Sequence, residues 1–318
     1  MIVNRIKFSF LTALLPLAAA FLLGACSKWN EPEALQLKLS GAKDRDPQLW
    51  GRYMDVLRSY KSGSHYLTYA EFDNGAESPV NEGSFLRSLP DSLDIVALSR
   101  PDAISAFDRE DIPLLKEKST KVVLKLDYAA MATESLADNS ALQSRLDRLA
   151  SQVRELSLDG FVFTGAPLYD GTPEQLAARR EAAALIVSKL RAAAGSTGLL
   201  IFEGVPEFLT TEDRAKLDLL IAPTSSFDNV VSLKLMMNSL LSAEGVSKEK
   251  VLLSAAIGGE IYDSNNSKKP QVPLILDYVA SLGPLGGIAL KNIGEDYSNP
   301  LTNYATTRGI ISSMNPSR

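Results

Sequence analysis

The chain has 318 residues, of which 45% are hydrophobic and 22% are charged, a composition that excludes a disordered, collagenous or coiled-coil protein. Its net charge of −5 disfavours a nucleic-acid partner. A single cysteine and a single histidine exclude a disulfide framework and metal sites built from several of these residues, so we expect neither a metal nor another cofactor.

The amino-terminal segment has the pattern of a secretory signal peptide. Arg5 and Lys7 precede an almost unbroken apolar run over residues 8–23, and small residues then lead to Cys26, the only cysteine. The end of the segment resembles a bacterial lipobox, in which the cysteine is acylated and the signal is removed. We therefore predict that residues 1–25 are a lipoprotein signal peptide and that Cys26 is lipidated. An ordinary signal peptide with a chance cysteine, or a single-span anchor, is the alternative.

From residue 46 onward, short apolar segments alternate with segments of helical periodicity. The predicted strands cover residues 65–72, 93–98, 121–126, 160–164, 199–203, 217–222, 251–256 and 287–291. The predicted helices cover residues 46–60, 142–156, 173–194, 229–244, 273–282 and 302–314. Eight strand–helix units predict a single-domain α/β protein, a (β/α)8 TIM barrel over residues 46–318, preceded by a lipidated tether of residues 26–45. A doubly wound open sheet is the alternative, but the chain lacks the glycine-rich loop typical of that fold.

Several short segments resemble the family 18 glycoside hydrolases, the group of chitinases and endo-β-N-acetylglucosaminidases. The segments are residues 29–33, 89–96, 158–161 and 314–316, and they extend over nearly the whole mature chain. The similarity is greatest to the Bacteroidetes lipoprotein branch of the family. This resemblance implies a barrel whose site lies at the carboxyl ends of the strands.

The fourth predicted strand carries a degenerate form of the Asp-Gly-x-Asp-x-Asp-x-Glu motif of this family. Asp159 and Gly160 match its opening, whereas Val162, Thr164 and Ala166 stand at its acidic positions. The resemblance implies that the final glutamate is the general acid and that the neighbouring aspartate orients the attacking acetamido group of the substrate. Alanine carries no proton and threonine carries no charge, so we predict that the chain has no catalytic residues of the family type.

Three other carboxylates, Glu71, Asp127 and Glu203, lie near predicted strand ends. They leave open a hydrolase with a relocated acid and base, because that chemistry depends on the separation of two carboxyl groups. Hydrogen bonding to loop amides or to sugar hydroxyls is the interpretation that we favour.

Aromatic and polar side chains follow several predicted strands, where rings could stack on sugars and polar groups could bind hydroxyls. The candidate glycan-binding residues are Glu71, Phe72, Arg100, Asp127, Tyr128, Tyr169, Glu203, Phe227, Tyr262, Lys291, Asn292 and Tyr297. We expect Tyr128, Tyr262 and Tyr297 to form the main stacking set, and packing of loops against the barrel rim is the alternative.

Two polar features are expected to be structural. His65 begins the first predicted strand, and a lone imidazole has no partner that would make it a base. Residues 265–270 are expected to form a solvated loop after the seventh strand.

Together the residues and the resemblance predict a non-catalytic glycan-binding lipoprotein, anchored to the outer membrane by its lipid and exposed at the cell surface, or alternatively at the periplasmic face. The resemblance implies ligands that contain N-acetylglucosamine and partners among outer-membrane glycan-import proteins. Two other functions stay open: an active endo-β-N-acetylglucosaminidase-type hydrolase with relocated carboxylates, and a protein-binding scaffold lipoprotein.

Overall fold

The computed structural model describes residues 42–134, 139–166 and 171–316. The chain divides into two compact units, residues 1–51 and residues 52–318. Helix α1 covers Ala42–Arg45 in the first unit, and helix α2 covers Pro47–Ser62. The predicted signal peptide, Cys26 and most of the predicted tether lie outside the described residues. Among the described helices, none combines the length and apolar composition that a membrane crossing requires.

Residues 52–318 contain a closed barrel of eight parallel strands. The barrel strands are β1 (Leu67–Phe72), β2 (Ile95–Leu98), β3 (Lys121–Leu126), β4 (Gly160–Thr164), β5 (Leu199–Glu203), β6 (Leu219–Ala222), β7 (Val251–Ala256) and β10 (Gly287–Lys291), while β8 (Glu260–Tyr262) and β9 (Lys268–Pro270) form a separate hairpin. Around the barrel the order is β1-β10-β7-β6-β5-β4-β3-β2, so consecutive strands of the barrel are neighbours. The predicted (β/α)8 barrel is therefore confirmed, and the open sheet is wrong.

Helices lie between the barrel strands and after the last one. They are α3 (Ala106–Glu117), α4 (Tyr128–Glu134), α5 (Asn139–Glu155), α6 (Pro173–Ala194), α7 (Thr211–Ala215), α8 (Val230–Ser242), α9 (Gln271–Ser281) and α10 (Ala305–Met314). Helix α6 has the predicted bounds because both of its ends carry strong signals. The Thr172 side chain accepts a hydrogen bond from the Gln175 backbone in a capping box, and Gly195 ends the helix at a φ of 68°.

Two apolar layers hold the barrel together. The larger layer packs the outer faces of the strands against the helices. The smaller layer fills the barrel interior with inward-pointing side chains from the strands, namely Tyr69, Ile95, Ala97, Val123, Val162, Ile201, Leu219, Ile221, Leu252 and Ala289. Because side chains alternate along a strand, the inward position two residues further on lies nearer the mouth of the barrel.

Polar contacts around Asp94 close the amino-terminal end of the barrel. One Asp94 oxygen lies 2.9 Å from His65 Nε2, and the other accepts a hydrogen bond of 2.8 Å from the Thr68 backbone. The expectation that His65 lacks a partner is therefore wrong, although its place opposite the mouth agrees with a structural role. The hydrogen bond with Asp94 raises the pKa of His65 above its ordinary value, against the effect of burial.

The segment after strand β7 also differs from the sequence prediction. Residues 268–270, expected in a solvated loop, pair with Glu260–Tyr262 as an antiparallel hairpin. One carboxylate oxygen of Asp263 accepts hydrogen bonds of 2.9 Å from the backbones of Asn265 and Ser267. These bonds tighten the turn, and an aspartate side chain in this role is a local signal for a turn between strands.

Candidate binding site at the barrel mouth

Strand alternation brings four charged side chains together at the mouth of the barrel. Glu71, Lys125, Glu203 and Lys291 each follow an interior residue by two positions, on strands β1, β3, β5 and β10. Lys125 follows Val123 in this way, and Glu203 follows Ile201. We call this group the ion quartet.

The two lysines of the ion quartet bridge its two carboxylates. Lys125 Nζ donates to both oxygens of Glu71 at 2.8 Å and lies 3.5 Å from Glu203 Oε2. Lys291 Nζ contacts Glu71 Oε2 and lies 2.7 Å from the Glu203 carboxylate. The four side chains are between 9% and 20% exposed, and their formal charges cancel. Each buried charge thus has two partners of opposite sign, which offsets the cost of removing it from water.

This pairing sets the protonation states at the mouth. Burial alone would raise the pKa of Glu71, but the Lys291 and Lys125 ammonium groups lower it below its usual value. Burial alone would lower the pKa of Lys125, but the Glu203 and Glu71 carboxylates raise it. Glu71 is therefore a carboxylate and Lys125 an ammonium at neutral pH, which is unsuitable for a general acid or for a nucleophilic amine.

A tyrosine lies beneath the ion quartet in the interior layer. Tyr69 is fully buried, and its hydroxyl forms no hydrogen bond with the described residues. Burial, together with the nearby Glu203 and Glu71 carboxylates, raises the Tyr69 pKa well above its usual value. This hydroxyl is therefore neutral at physiological pH.

Strand β4 presents no carboxylate at the mouth. Val162 belongs to the interior apolar layer, and Ala166 is 2% exposed. Thr164 Oγ1 donates to Asp127 Oδ1 at 2.8 Å and accepts a hydrogen bond from the Ala129 backbone at 2.9 Å. The side chains at the acidic positions of the family motif therefore pack or form internal hydrogen bonds.

The residues that match the opening of the motif lie at the other end of strand β4. Asp159 accepts a hydrogen bond of 2.9 Å from the Val122 backbone and lies 3.0 Å from Lys121 Nζ. Gly160 has a φ of 144°, and a Cβ at this position would lie 2.0 Å from the Leu199 carbonyl oxygen. These two residues hold neighbouring strands together and take no part in the mouth.

Two clefts open beside the ion quartet. The first cleft has a volume of about 470 Å³, and its lining includes Ser99, Lys125, Asp127, Met131, Arg145 and Arg148. The second cleft has a volume of about 300 Å³, and its lining includes Glu71, Asp73, Ser99, Lys291, Asn292 and Gly294. Ser99 borders both clefts, which therefore lie on either side of strand β2. This combination of apolar surface and convergent polar groups suits a small polar ligand.

The structure brings several predicted polar candidates to these clefts. Glu71, Lys291 and Asn292 line the second cleft, Asp127 lines the first, and Glu203 belongs to the ion quartet. Phe72 also borders the second cleft, but it is 2% exposed. Arg100 is paired with Asp73 at 2.6 Å.

The predicted aromatic residues differ in how far their rings are exposed to solvent. Tyr128 is 7% exposed and packs against Phe208, with ring centroids 5.8 Å apart, so its ring face is not available for stacking. Phe227 and Tyr297 are partly buried and pack against the outer core. Tyr262 is 38% exposed on hairpin strand β8, and Tyr169 lies outside the described residues.

Sequence reasoning missed Lys125, Arg145 and Arg148. A lysine within the otherwise apolar strand 121–126 was a signal, because such a residue must either point into a polar mouth or be paired. Arg145 and Arg148 stand three residues apart on α5, a spacing that places them on one helix face. Within residues 42–134, 139–166 and 171–316, no cluster of three histidine, cysteine or carboxylate side chains could hold a metal ion.

Comparison with known proteins agrees with this fold. Residues 30–145 match the family model of glycoside hydrolase family 18, BT1044-like. Over these residues the chain is similar to family 18 glycoside hydrolases. No curated protein sequence matches it.

Solved structures share the barrel fold over most of its length. A variant of BT1044 is 19% identical with a TM-score of 0.64, and the match covers 87% of this chain and 96% of that one. A mutant endo-β-N-acetylglucosaminidase from Cordyceps militaris, in complex with fucosyl-N-acetylglucosamine-Asn, is 19% identical with a TM-score of 0.62 over 84% of this chain and 96% of that one. YKL-39 in the presence of chitooligosaccharides is 12% identical with a TM-score of 0.56 over 79% of this chain and 100% of that one. At these identities the likeness establishes the shared fold.

Proposed function

We propose that this chain is a non-catalytic glycan-binding lipoprotein that captures N-acetylglucosamine-containing glycans at the outer membrane. One observation carries the proposal: a charge-neutral ion quartet and two clefts occupy the barrel mouth, while the general-acid position of the motif is Ala166.

The residues of strand β4 support a binding function without turnover. Ala166 offers no proton to a leaving oxygen, and general acid catalysis is worth about 10²–10⁴-fold in rate. The hydroxyl of Thr164 already donates to Asp127, and it carries no charge that could stabilise a positive intermediate. Both contributions that the motif would make to hydrolysis are therefore missing.

The ion quartet argues against a relocated acid and base. A glycosidase acid needs a raised pKa so that it holds a proton at working pH. The pKa of Glu71 is lowered, because Lys291 and Lys125 outweigh the effect of burial. The Glu203 carboxylate lies 2.7 Å from Lys291 Nζ and is therefore paired with a cation.

The clefts support glycan binding. Each places hydroxyl, carboxylate and cationic side chains beside apolar surface, the combination that binds sugar hydroxyls and sugar faces. Two structures that share this fold were solved with N-acetylglucosamine-containing ligands, fucosyl-N-acetylglucosamine-Asn and chitooligosaccharides. Related ligands are the first to test on this chain.

Lipid attachment would place these clefts at a membrane surface. We infer that Cys26 is acylated after removal of residues 1–25 and that the barrel is held at the cell surface of the outer membrane. A binder in this place would deliver glycans to outer-membrane import proteins.

The test is calorimetry of the detergent-purified full chain with chitotetraose. We expect a dissociation constant between micromolar and millimolar, since a few stacking and hydrogen-bonding contacts give about 4–8 kcal/mol. Ser99→Phe should abolish binding, because Ser99 borders both clefts. Ser151→Phe, the same change on the solvent face of α5, should bind as the wild type does. Absence of binding to chitotetraose and to released N-glycans would contradict the proposal and favour the scaffold alternative.

A further inference from the structure

The first cleft has a cationic wall formed by helix α5. Arg145 and Arg148 both line the cleft, with side chains that are 23% and 61% exposed. They lie in the middle of the helix, near the mouth. Arg154, by contrast, lies beside Asp159 and Gly160 at the other end of the barrel.

A single carboxylate, Asp102, is shared by these two arginines. Asp102 contacts Arg145 Nη1 with both oxygens and lies 3.5 Å from Arg148 Nη1. Among the residues that the structure describes, two guanidinium charges thus share one carboxylate charge, so the wall keeps a net positive charge. Asp102 is itself 55% exposed and sits on the turn after strand β2, so a ligand anion can compete with it from solvent.

The opposite side of the first cleft is negative. Asp127 lines it, and its Oδ1 accepts hydrogen bonds from Thr164 Oγ1 and the Ala130 backbone. Lys125 also lines this side, but Glu71 and Glu203 already pair with it. The cleft therefore has a cationic end at α5 and a hydrogen-bond-accepting end at strand β3, with Pro101, Leu126 and Met131 supplying apolar surface.

From this arrangement we propose that the first cleft binds an acidic sugar, with its carboxylate or sulfate on Arg145 and Arg148 and a hydroxyl or amide donor on Asp127. The proposal rests on the glycan-binding function above and specifies the ligand class. A guanidinium presents parallel donors that match a carboxylate or sulfate, and it stays charged at any physiological pH. Asp102 is the internal carboxylate that the ligand anion displaces.

The test compares two tetrasaccharides by calorimetry on the full chain. Chitotetraose is neutral, whereas a hyaluronan tetrasaccharide alternates N-acetylglucosamine with a carboxylate-bearing sugar. We expect the hyaluronan tetrasaccharide to bind at least about tenfold more tightly than chitotetraose, because a charge-assisted hydrogen bond contributes that much binding free energy. Added salt should weaken this binding and leave that of chitotetraose nearly unchanged.

Variants of the cationic wall test which residues cause the preference for hyaluronan. Arg148→Gln and Arg145→Gln should each lose most of the preference for hyaluronan, whereas Asp102→Asn should strengthen hyaluronan binding severalfold by removing the competing carboxylate. Arg154→Gln, on the same helix at the other end of the barrel, is the matched control and should bind both sugars as the wild type does. Because Arg148 is exposed, its variant should keep the wild-type melting temperature.

The outcomes separate this inference from the proposed function. If chitotetraose binds as tightly as the hyaluronan tetrasaccharide, or more tightly, the acidic-sugar inference is overturned and the glycan-binding proposal stays in place. A hyaluronan preference that survives in both arginine variants also overturns the inference. Failure of both tetrasaccharides to bind overturns the inference, and the proposed function is overturned as well when released N-glycans also fail to bind.

Discussion

Lys125 Nζ lies 2.8 Å from both carboxylate oxygens of Glu71 across the barrel mouth, although strand β2 separates the strands that carry them. The contact therefore joins two strands of the rim that are not neighbours in the barrel. With Glu203 and Lys291 it forms the ion quartet, which occupies the centre of the candidate site.

Removal of Lys125 should destabilise the barrel. Lys125→Met leaves Glu71 and Glu203 with one cation between them, and we expect the free energy of unfolding to fall by about 2–4 kcal/mol in urea titrations. The double variant Lys125→Met/Glu71→Gln should recover part of this loss, because the remaining Glu203–Lys291 pair is balanced.

Lys189→Met is the matched control for this prediction. Lys189 pairs with Asp147 on the surface, with side chains 43% and 65% exposed, so its loss should cost less than about 1 kcal/mol. Equal effects of the two lysine variants would show that the ion quartet contributes no more than a surface pair.

The strands and several helices could be predicted from the sequence because their signals are local. Strand β3 has the predicted bounds of 121–126, and α6 has its predicted bounds because its caps lie within the segment. The ion quartet could not be predicted, since Glu71 and Lys291 are 220 positions apart and meet only when the barrel closes. The contact of Arg145 with Asp102 depends in the same way on how α5 packs beside the turn after β2.

The aromatic residues at the mouth should separate into two classes. Tyr128→Ala should lower the free energy of unfolding by about 3 kcal/mol, because the ring is buried against Phe208. Tyr262→Ala should leave stability unchanged within about 0.5 kcal/mol, since the side chain is exposed. Calorimetry and urea unfolding on the same two variants check this division. A stable Tyr128→Ala protein with weakened glycan binding would restore Tyr128 to the stacking set.

Stability should depend on pH through His65. Its folded-state pKa is raised above 6.5, chiefly by the hydrogen bond with Asp94, so the protonated form is favoured in the folded protein. The stabilisation is therefore fully present below an unfolded-state pKa of about 6.5 and is lost as pH rises through the higher folded-state value. Urea unfolding at pH values across this range should show a falling free energy of unfolding in the wild type and no such fall in His65→Gln. The same pH slope in both proteins would assign the dependence to other groups.

Membrane attachment should depend on Cys26. The mature protein should begin at Cys26 and carry covalent lipid, which intact-mass spectrometry of the detergent-extracted protein measures. Cys26→Ser should lose the lipid and leave the membrane fraction, because a single modified residue supplies the anchor. A mature protein that retains Met1, or a Cys26→Ser protein that stays in the membrane fraction, would contradict this prediction.

The most direct test of the central claim is the release of chromophore from a chromogenic chitobioside by the purified full chain. We predict no release above a buffer control, because Ala166 cannot donate a proton and the ion quartet holds Glu71 in its charged form. Turnover that persists through purification and disappears in Glu203→Gln would contradict the account and assign hydrolysis to relocated carboxylates at the barrel mouth.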